Sequence, residues 1–572
     1  MANCATIPPP NTFSTKSIQD ATQWLNQCRL THVKCRPKDG VTLPHRVLDV
    51  GKLSPESASS VNRAMHELIE VRLKENSTSP DYSDYCCLSH CWGSIRPECI
   101  TNKDTLLQNK AGIPWSTLPK TFQDAIIFTR VLGVRYLWID SLCWCHPSIH
   151  RRLLVADILA SGIVQDDSVD WAAEAAKMAD IYSGSLLTLA AAASYDGNGG
   201  MDISPGDVIR GREVQGLSQA GLGQFQGKLF VRTDPSKFSH EQRSLPLVTR
   251  AWVYQERLLS TRTLHFAESE LMWECATTTA CQCSPSYALD DDDLAHRKGR
   301  YPKFHHLESL LRSSGDQAII QARWRQMVTE YSHLHLSHES DRLQAISGLA
   351  AQMAKYRPND RYVAGVWTNS LLSDLLWVRN HTLRLETLLP KSSAPSWSWA
   401  APACGVKFRG ATHLNQRTAQ ISIRESVSQL AGDSGQATSD CLVVQGKVYD
   451  AVLRYDPDQN FHQYKYDIVF EGMENVVIHG VRAEVNGYQT TCAYFEPDYF
   501  LEAEGFRGYC PNGERVRCIL LTDDLWLVVK YLEDDKAYSG PPRCQRIGMG
   551  SMSWEKVRVH DPARRDGTVL VY

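Results

Sequence analysis

The sequence lacks long apolar runs and has almost no excess charge of either sign. An apolar stretch such as Leu186–Ala193 is far shorter than the roughly 20 residues that a membrane-spanning helix needs. The 61 basic and 64 acidic residues leave a net charge of −3, so the basic footprint of nucleic-acid-binding proteins is missing. We therefore expect neither a membrane span nor a nucleic-acid partner.

The first residues also lack the basic segment followed by an apolar segment that marks a signal peptide. The eighteen cysteines are scattered along the chain without the spacing of a disulfide framework. These two features predict a cytoplasmic protein whose thiols are mostly reduced.

Two groups of cysteines have spacings that occur in metal sites. Cys28, His32 and Cys35 could supply three ligands, but the sequence shows no fourth, and a closed zinc site needs four. Cys281 and Cys283 form a Cys-x-Cys pair with Cys275 nearby. Buried thiols packed in a core explain both groups equally well and are commoner, so we predict no metal site.

Several catalytic motifs are missing. The chain has no GxxxxGK[ST] phosphate loop, no HExxH helix and no GxSxG nucleophile elbow, which argues against P-loop NTPases, zinc proteases and α/β-hydrolases. A cysteine hydrolase would need a Cys, a His and an orienting acid. Cys143, His90 and Asp140 could converge only if all three lie at one edge of a sheet.

The stretch Leu118–Leu142 gives the clearest prediction of secondary structure, a helix followed by a buried strand. Thr121 and Asp124 have the spacing of a helix capping box, and apolar residues then recur at helical intervals. Val134–Ile139 follows as an apolar run typical of a strand buried on both faces of a parallel sheet. Asp140 comes directly after this strand, at the sheet edge where α/β proteins bind ligands.

The same helix–strand pattern occurs on both sides of that stretch. Tyr85–Ser89 is predicted as a strand, and His90–Gly93 as the turn that leaves its carboxyl end. A helix beginning near Asp170 precedes an apolar strand at Leu186–Ala193. This alternation of strands and helices predicts an α/β domain with a parallel sheet flanked by helices.

Six sequence blocks resemble, in the same order, the signature blocks of the fungal heterokaryon incompatibility (HET) domain family: YCCLSHCWG, LPKTFQDAI, LGVRYLWIDSLC, VQDD, DWAAEAAKMADIY and TRAWVYQERLLSTRTLHF. They lie between Tyr85 and Glu256, except for the end of the last block. Weaker features, including WLNQC and PSWSWA, extend the resemblance over most of the chain. The residues that carry the family motifs are Ser89, His90, Trp92, Gly93, Pro119, Asp124, Trp138, Asp140, Ser141, Cys143, Gln165, Asp166, Asp170, Trp171, Tyr182, Arg250, Trp252, Gln255 and Glu256.

The resemblance implies a role in non-self recognition, in which mismatched partners trigger growth arrest and programmed cell death. It implies a protein partner, leaves a homo-oligomer open and implies no resident cofactor. HET domains are distantly similar to TIR domains, some of which cleave NAD, so NAD hydrolysis is an alternative. Glu174 is the candidate catalytic carboxylate, because it lies on the inward side of its helix near Asp170. An ordinary helix-start acid explains it as well. A third alternative is an inactive HET-like binding scaffold.

One departure from the family pattern follows Cys143. The family continues at once into apolar residues and Gln, whereas here Trp144–Gly162, about 19 residues, comes first. We hypothesise a retained intron: Cys143 written TGT would supply a GT donor, and Ser161–Gly162 can encode an AG acceptor. The alternative is a true surface loop containing a short amphipathic helix.

The chain of 572 residues is too long for one core, and four regions are predicted. They are an N-terminal helical and loop extension (1–80), the HET domain (81–260, with the insert 144–162), a mostly helical region (261–407) and a β-rich C-terminal region (408–572). The last region is predicted from alternating apolar runs such as CLVVQGKVYDAVL and LWLVVKYL.

Overall fold

The computed structural model divides into two compact units, residues 1–314 with 345–349 and residues 315–344 with 350–572. The predicted insert lies outside the residues whose structure is described. The described residues are 9–36, 42–53, 70–76, 81–93, 99–102, 104–143, 177–204, 212–213, 230–231, 245–287, 303, 306, 309–310, 316–380, 394–402, 404–409, 419–424, 441–455, 466–471, 476–479, 482–485, 488–490, 493–499, 501, 508–522, 524–532, 541–552 and 565–572.

A nine-stranded mixed sheet is the core of the first unit, and a separate two-stranded pair, β6 with β7, accompanies it. The strands of this unit, in chain order, are β1 (Arg46–Asp49), β2 (Arg72–Glu75), β3 (Tyr85–Ser89), β4 (Tyr136–Trp138), β5 (Leu187–Ala190), β6 (Arg212–Glu213), β7 (Phe230–Val231), β8 (Arg262–Phe266), β9 (Leu271–Cys275), β10 (Thr279–Cys281) and β11 (Ser284–Tyr287).

The four central strands of the nine-stranded sheet are parallel and lie in the order β4-β3-β5-β8. The chain therefore moves from β3 to a neighbour on one side and then to β5 on the other side. Such a reversal of strand order opens a crevice at the carboxyl ends of the strands, where doubly wound proteins bind ligands. Antiparallel strands complete both edges, so the predicted parallel sheet with flanking helices is confirmed for its centre.

Five described helices belong to this unit, and residues 177–184 are helical as well. The helix and strand predicted between Leu118 and Leu142 are confirmed, and so is the left-handed Gly133 (φ 77°) that separates them. The helices are α1 (Thr15–Thr31), α2 (Leu106–Ala111), α3 (Lys120–Val131), α4 (Asp140–Cys143) and α5 (Ala251–Leu259).

The predicted capping box at the start of α3 is wrong. Pro119 is the N-cap residue and makes no side-chain cap bond. Asp124 is fully buried and accepts the backbone N–H groups of Met201 and Asp202 at 2.8 and 3.3 Å. The acid therefore holds a loop far along the chain by accepting two of its backbone N–H groups.

The predicted boundary at residue 260 also differs from the structure. Residues 262–287 form the strands β8 to β11 of the nine-stranded sheet, so the region from 261 does not begin as a helical one. Strand β8 is fully buried and pairs in parallel with β5. A chain that ends near residue 260 would lose a central strand of this core.

The second unit contains α6 (Gln317–Ser332), α7 (Gln344–Ala354, whose residues 345–349 group with the first unit) and α8 (Leu371–Leu375). Two small antiparallel pairs accompany these helices. They are β12 (Tyr362–Val363) with β13 (Val366–Trp367), and β14 (Trp377–Arg379) with β15 (Val406–Phe408).

An eleven-stranded sheet forms the rest of this unit and confirms the β-rich C-terminal region. The predicted runs CLVVQGKVYDAVL and LWLVVKYL correspond to the strands β17 and β24, whose ranges are given at the end of this paragraph. Among the described helices of both units, none has both the length and the apolar character required to cross a membrane. The strands are β16 (Gln420–Arg424), β17 (Cys441–Tyr455), β18 (Tyr466–Phe470), β19 (Val476–His479), β20 (Arg482–Val485), β21 (Tyr488–Thr490), β22 (Ala493–Pro497), β23 (Arg515–Leu520), β24 (Leu525–Tyr531), β25 (Arg543–Met552) and β26 (Arg565–Val571).

Candidate functional site

The carboxyl ends of β3 and β5 meet where the strand order of the first unit reverses. Ser89, the last residue of β3, lies beside Ala190, the last residue of β5, in parallel register. Both are buried. Polar side chains from three other segments gather around this point, which makes it the candidate functional site.

A buried carboxyl group lies at the centre of this site. The Ser89 hydroxyl donates to Glu256 Oε2 at 2.5 Å, and the Tyr182 hydroxyl also faces this carboxyl while donating to the Leu88 carbonyl at 3.3 Å. Burial raises the pKa of Glu256 to about 7, because a low-dielectric surrounding disfavours the anion. The group can therefore gain or lose a proton near neutral pH.

Helix α5 brings Glu256 to the strand ends because its apolar residues pack over them. Val253 of α5 and Leu247 of the preceding turn form a buried cluster with Cys91 and Ala190. This apolar cluster includes Ala190 at the end of β5 and a residue of the helix that carries Glu256, so it fixes that helix at the switch point.

A second polar group follows the ends of β3 and β4. The Trp92 indole N–H donates to Asp140 Oδ2 at 2.8 Å, and His90 Nδ1 lies 3.9 Å from Asp140 Oδ1. Burial lowers the pKa of His90, so the imidazole is neutral at pH 7. Among the described residues, His90 Nε2 and the Ser141 hydroxyl are buried and have no hydrogen-bond partner.

The turn after β3 is held by two contacts. The Arg250 guanidinium donates to the His90 carbonyl at 2.8 Å. Gly93 is left-handed (φ 72°), and a Cβ atom there would lie 2.4 Å from Asp196 Cβ. The glycine is thus required both by the backbone conformation and by the close approach of another loop.

Cys143 does not form the cysteine, histidine and acid arrangement that its place in the sequence allowed. Its sulfur accepts the Ile139 N–H at 3.5 Å. Burial raises its pKa to about 12, so the sulfur is a protonated thiol and a poor nucleophile. No hydrogen bond joins it to His90 in the part of the chain that the structure describes.

The remaining described motif residues support the core. Trp138 packs edge-to-face on Tyr182 with 5.6 Å between ring centroids. Gln255 is buried and accepts the Gly348 N–H at 3.2 Å, while Trp252 is half-buried. These residues set the positions of the helix that carries Glu256 and of the tyrosine beside it.

Five motif or candidate residues lie outside the described residues, among them the proposed catalytic Glu174. Their placement at the site therefore stays a prediction. The five are Gln165, Asp166, Asp170, Trp171 and Glu174.

A buried ionic network behind α5 was not predicted from the sequence. Arg257 is buried and donates to both oxygens of Glu274, at 2.7 and 3.0 Å. His265 Nε2 lies 3.3 Å from the same carboxylate, and Arg257 and His265 together hold the pKa of Glu274 well below its ordinary value against the effect of burial. The signal available was the presence of the polar residues Arg262, Thr263 and His265 in β8, a strand at the end of the family's last motif block.

The donor groups at the switch point do not form a metal-binding set. Clusters of metal-donor side chains among the described residues occur elsewhere: Cys28, His32, Cys35 and Cys275 form one, and Glu270, Cys281 and Cys283 form another. The arrangement around Glu256 suits proton exchange and burial of a polar ligand group.

Residues 85–146 and 156–256 match a family model described as "Heterokaryon incompatibility protein (HET)". The match leaves out residues 147–155, which lie inside the predicted insert. No curated protein and no solved structure matches the chain. The matched segments contain β3, β4, β5 and α4, and they end within α5 at Glu256.

Proposed function

We propose that this chain, whose residues 85–146 and 156–256 match the heterokaryon incompatibility (HET) family model, acts in fungal non-self recognition and triggers programmed cell death. The observation that carries the proposal is the placement of the family's motif residues. Ser89 and Tyr182 each contact the buried carboxyl group of Glu256. Such a buried arrangement suits a module that changes state or assembles when a partner binds.

The trigger is a protein partner, and the domain acts in the cytoplasm. Self-assembly of the HET domain is the accompanying step, so a homo-oligomer forms when the partner is recognised. Light scattering of the purified chain measures self-assembly, and a fluorescent fusion in living hyphae shows where the protein is located.

The direct test is inducible expression of the whole chain in a fungal host, with and without residues 144–162. The full chain is needed because β8 to β11 complete the sheet. We expect growth arrest and uptake of a vital dye when the chain lacking 144–162 accumulates, and a weaker response to the longer chain.

A chain carrying Arg515→Gln is the matched control, because Arg515 is exposed and lies in the second unit. It should kill as well as its parent. Normal growth of all three strains, with equal amounts of protein on an immunoblot, would contradict the proposal and favour an inactive binding scaffold.

A second candidate function is hydrolysis of NAD at the switch point. It is favoured by a carboxyl group with a pKa of about 7 and by the buried Nε2 of His90 and hydroxyl of Ser141, which have no partner among the described residues. Perturbed pKa values and unpaired buried polar atoms at a strand edge are features of ligand sites. In this case Glu174 or Glu256 stabilises the positive charge that develops on the ribose.

Purified full chain, both dilute and concentrated with a crowding agent, is incubated with NAD, and nicotinamide release is followed. Loss of release in Glu174→Gln or in Glu256→Gln identifies the carboxylate. NAD that stays intact under both conditions rules out this second function and leaves the first untouched.

A further inference from the structure

The end of α1 and the end of β9 bring four metal-donor side chains together. Cys28 lies in the last turn of α1, His32 caps that helix, and Cys35 ends the short 3-10 turn that follows. Cys275 is the last residue of β9, some 240 residues further along the chain. The fold thus supplies the fourth donor that the local sequence lacks.

The four donor atoms have the spacing of a tetrahedral site. All of them lie within 4.8 Å of one another. Bond lengths of about 2.3 Å to sulfur and 2.0 Å to nitrogen place the sulfur and nitrogen ligands of tetrahedral zinc about 3.5 Å apart. Cys275 Sγ and His32 Nδ1 are 3.4 Å apart, so a small inward shift of the side chains closes the site.

The sulfur atoms also accept the hydrogen bonds that stabilise thiolates. The backbone N–H groups of Thr277 and Thr278 donate to Cys275 Sγ at 3.4 and 3.3 Å. Arg262 Nε donates to Cys28 Sγ at 3.2 Å, and its guanidinium also binds the Cys35 carbonyl. Three thiolates and one zinc ion carry a net charge of −1, which the buried Arg262 balances. Such outer contacts orient ligands and raise metal affinity.

We propose that Cys28, His32, Cys35 and Cys275 bind a structural zinc ion that fastens the N-terminal helix to the sheet of the HET domain. Three thiolates and an imidazole in a closed tetrahedron favour zinc over magnesium, calcium or manganese. The three cysteines are almost fully buried, with exposed fractions of 0, 0 and 1%. This burial gives no open position for substrate, so the site is structural rather than catalytic.

The zinc ion has a mechanical role in the first unit. Helix α1 packs on β9, where Trp24 and Trp273 lie with 6.4 Å between ring centroids. Gln282 reaches the start of the same helix through Ser17 at 3.1 Å. The metal closes the other end of this contact, so the N-terminal extension and the matched domain form one folded body.

The test starts from the full chain expressed in zinc-supplemented medium and purified under reducing conditions. Inductively coupled plasma mass spectrometry should find about one zinc ion per chain. Replacement by cobalt should give the visible bands of a tetrahedral site with thiolate ligands. Cys275→Ser should reduce the zinc content at least tenfold, whereas Cys518→Ala, an equally buried cysteine of β23, should leave it unchanged.

Two further variants keep the test informative if Cys275→Ser fails to fold. His32→Cys should retain zinc, because four thiolates also form a closed site. Arg262→Met should weaken zinc binding by roughly 10- to 100-fold in a chelator competition. A wild-type chain with no zinc and no cobalt uptake, zinc that persists in folded Cys275→Ser, or a disulfide among the three cysteines would each overturn the proposal.

Discussion

At the scale of single residues, Glu256 has a buried carboxyl group with few polar neighbours. The carboxyl lies against Ser89 and Tyr182, and burial raises its pKa from 4.5 to about 7. The Ser89 hydroxyl at 2.5 Å and the Tyr182 hydroxyl stabilise the anion, but they do not replace the hydration that burial removes. The neutral acid is therefore the stable form in the folded protein under mildly acidic conditions.

This raised pKa predicts a stability that falls as the pH rises. Glu256 binds its proton more tightly in the folded protein than in the unfolded one, and this stabilises the fold. The stabilisation is complete below the unfolded pKa of 4.5 and is lost as the pH rises through about 7. Glu256→Gln removes this titration, so the wild type should lose on the order of 3 kcal/mol relative to the variant between pH 4.5 and 8.

Urea denaturation at a series of pH values measures this difference, with hydrogen exchange of peptides from β3 as a local readout. Glu268→Gln, which replaces an exposed acid of the same unit, is the matched control. A wild-type and Glu256→Gln pair with parallel pH profiles would contradict the assigned burial effect.

The buried pair of Arg257 and Glu274 makes a second prediction. Arg257→Met leaves a carboxylate that is 1% exposed without its bidentate partner, although His265 and the buried Lys303 still act on it, and this loss should cost about 3–5 kcal/mol. The double variant Arg257→Met/Glu274→Met should recover part of that loss, because it removes the buried carboxylate but leaves Lys303 buried.

The exposed pair of Arg515 and Glu471, with two bonds at 2.8 and 2.9 Å, is a control of similar geometry. Its side chains are 65 and 39% exposed, so Arg515→Met should change the free energy of unfolding by no more than about 1 kcal/mol. Chemical denaturation measures both variants. If Arg257→Met and Arg515→Met lower the free energy of unfolding equally, burial does not determine the energetic effect of losing the ion pair.

At the scale of elements, the turn after β3 and the turn after α3 each contain a left-handed glycine. Gly93 and Gly133 have nearly the same left-handed φ, 72° and 77°. A Cβ atom on Gly133 would meet no described atom within 4 Å, whereas one on Gly93 would meet Asp196. The two glycines thus separate the cost of conformation from the cost of crowding.

Gly133→Ala should destabilise the first unit by about 1 kcal/mol, the cost of the left-handed conformation alone. Gly93→Ala should cost a further 1–3 kcal/mol or so, because Asp196 must move and its carboxylate holds the N–H groups of Asn198 and Gly199. Thermal denaturation compares them. A Gly93→Ala loss no larger than that of Gly133→Ala would show that the Asp196 loop shifts freely.

At the scale of the whole molecule, the segment after Cys143 interrupts the family match. The family match stops at residue 146 and resumes at 156, and α4 ends at Cys143 beside the switch point. A segment of about 19 residues is long for a connection after a central parallel strand.

The retained-intron hypothesis predicts a transcript in which the codon of Cys143 is followed directly by that of Ile163. Sequencing of cDNA across this region is the measurement, and the intact junctions of neighbouring exons are its control. A cDNA that retains the codons of residues 144–162 in all reads would refute the hypothesis, and the segment would then be a true loop.

Much of the fold was predictable because the spacing of apolar residues along the sequence indicates the type of each helix or strand. Strands such as β3 and β24 are buried runs, and α3 repeats apolar residues at helical intervals, so their type and limits follow from which face is buried. The order of blocks between Tyr85 and Glu256 likewise identified the family. The polar residues Ser89 and Asp140 were expected at strand ends, and they lie there.

The partners of those residues were decided only by the tertiary structure. Asp124 has the spacing of a helix cap but binds a loop near Met201, and Arg257 forms a buried ion pair with Glu274. Cys275 lies near Cys28, although the two residues are far apart in the sequence. Periodicity records whether a side chain is buried, and that much the sequence determined by itself. Periodicity does not show which distant side chain lies beside a buried residue, because that depends on the spatial order of the strands in the sheet.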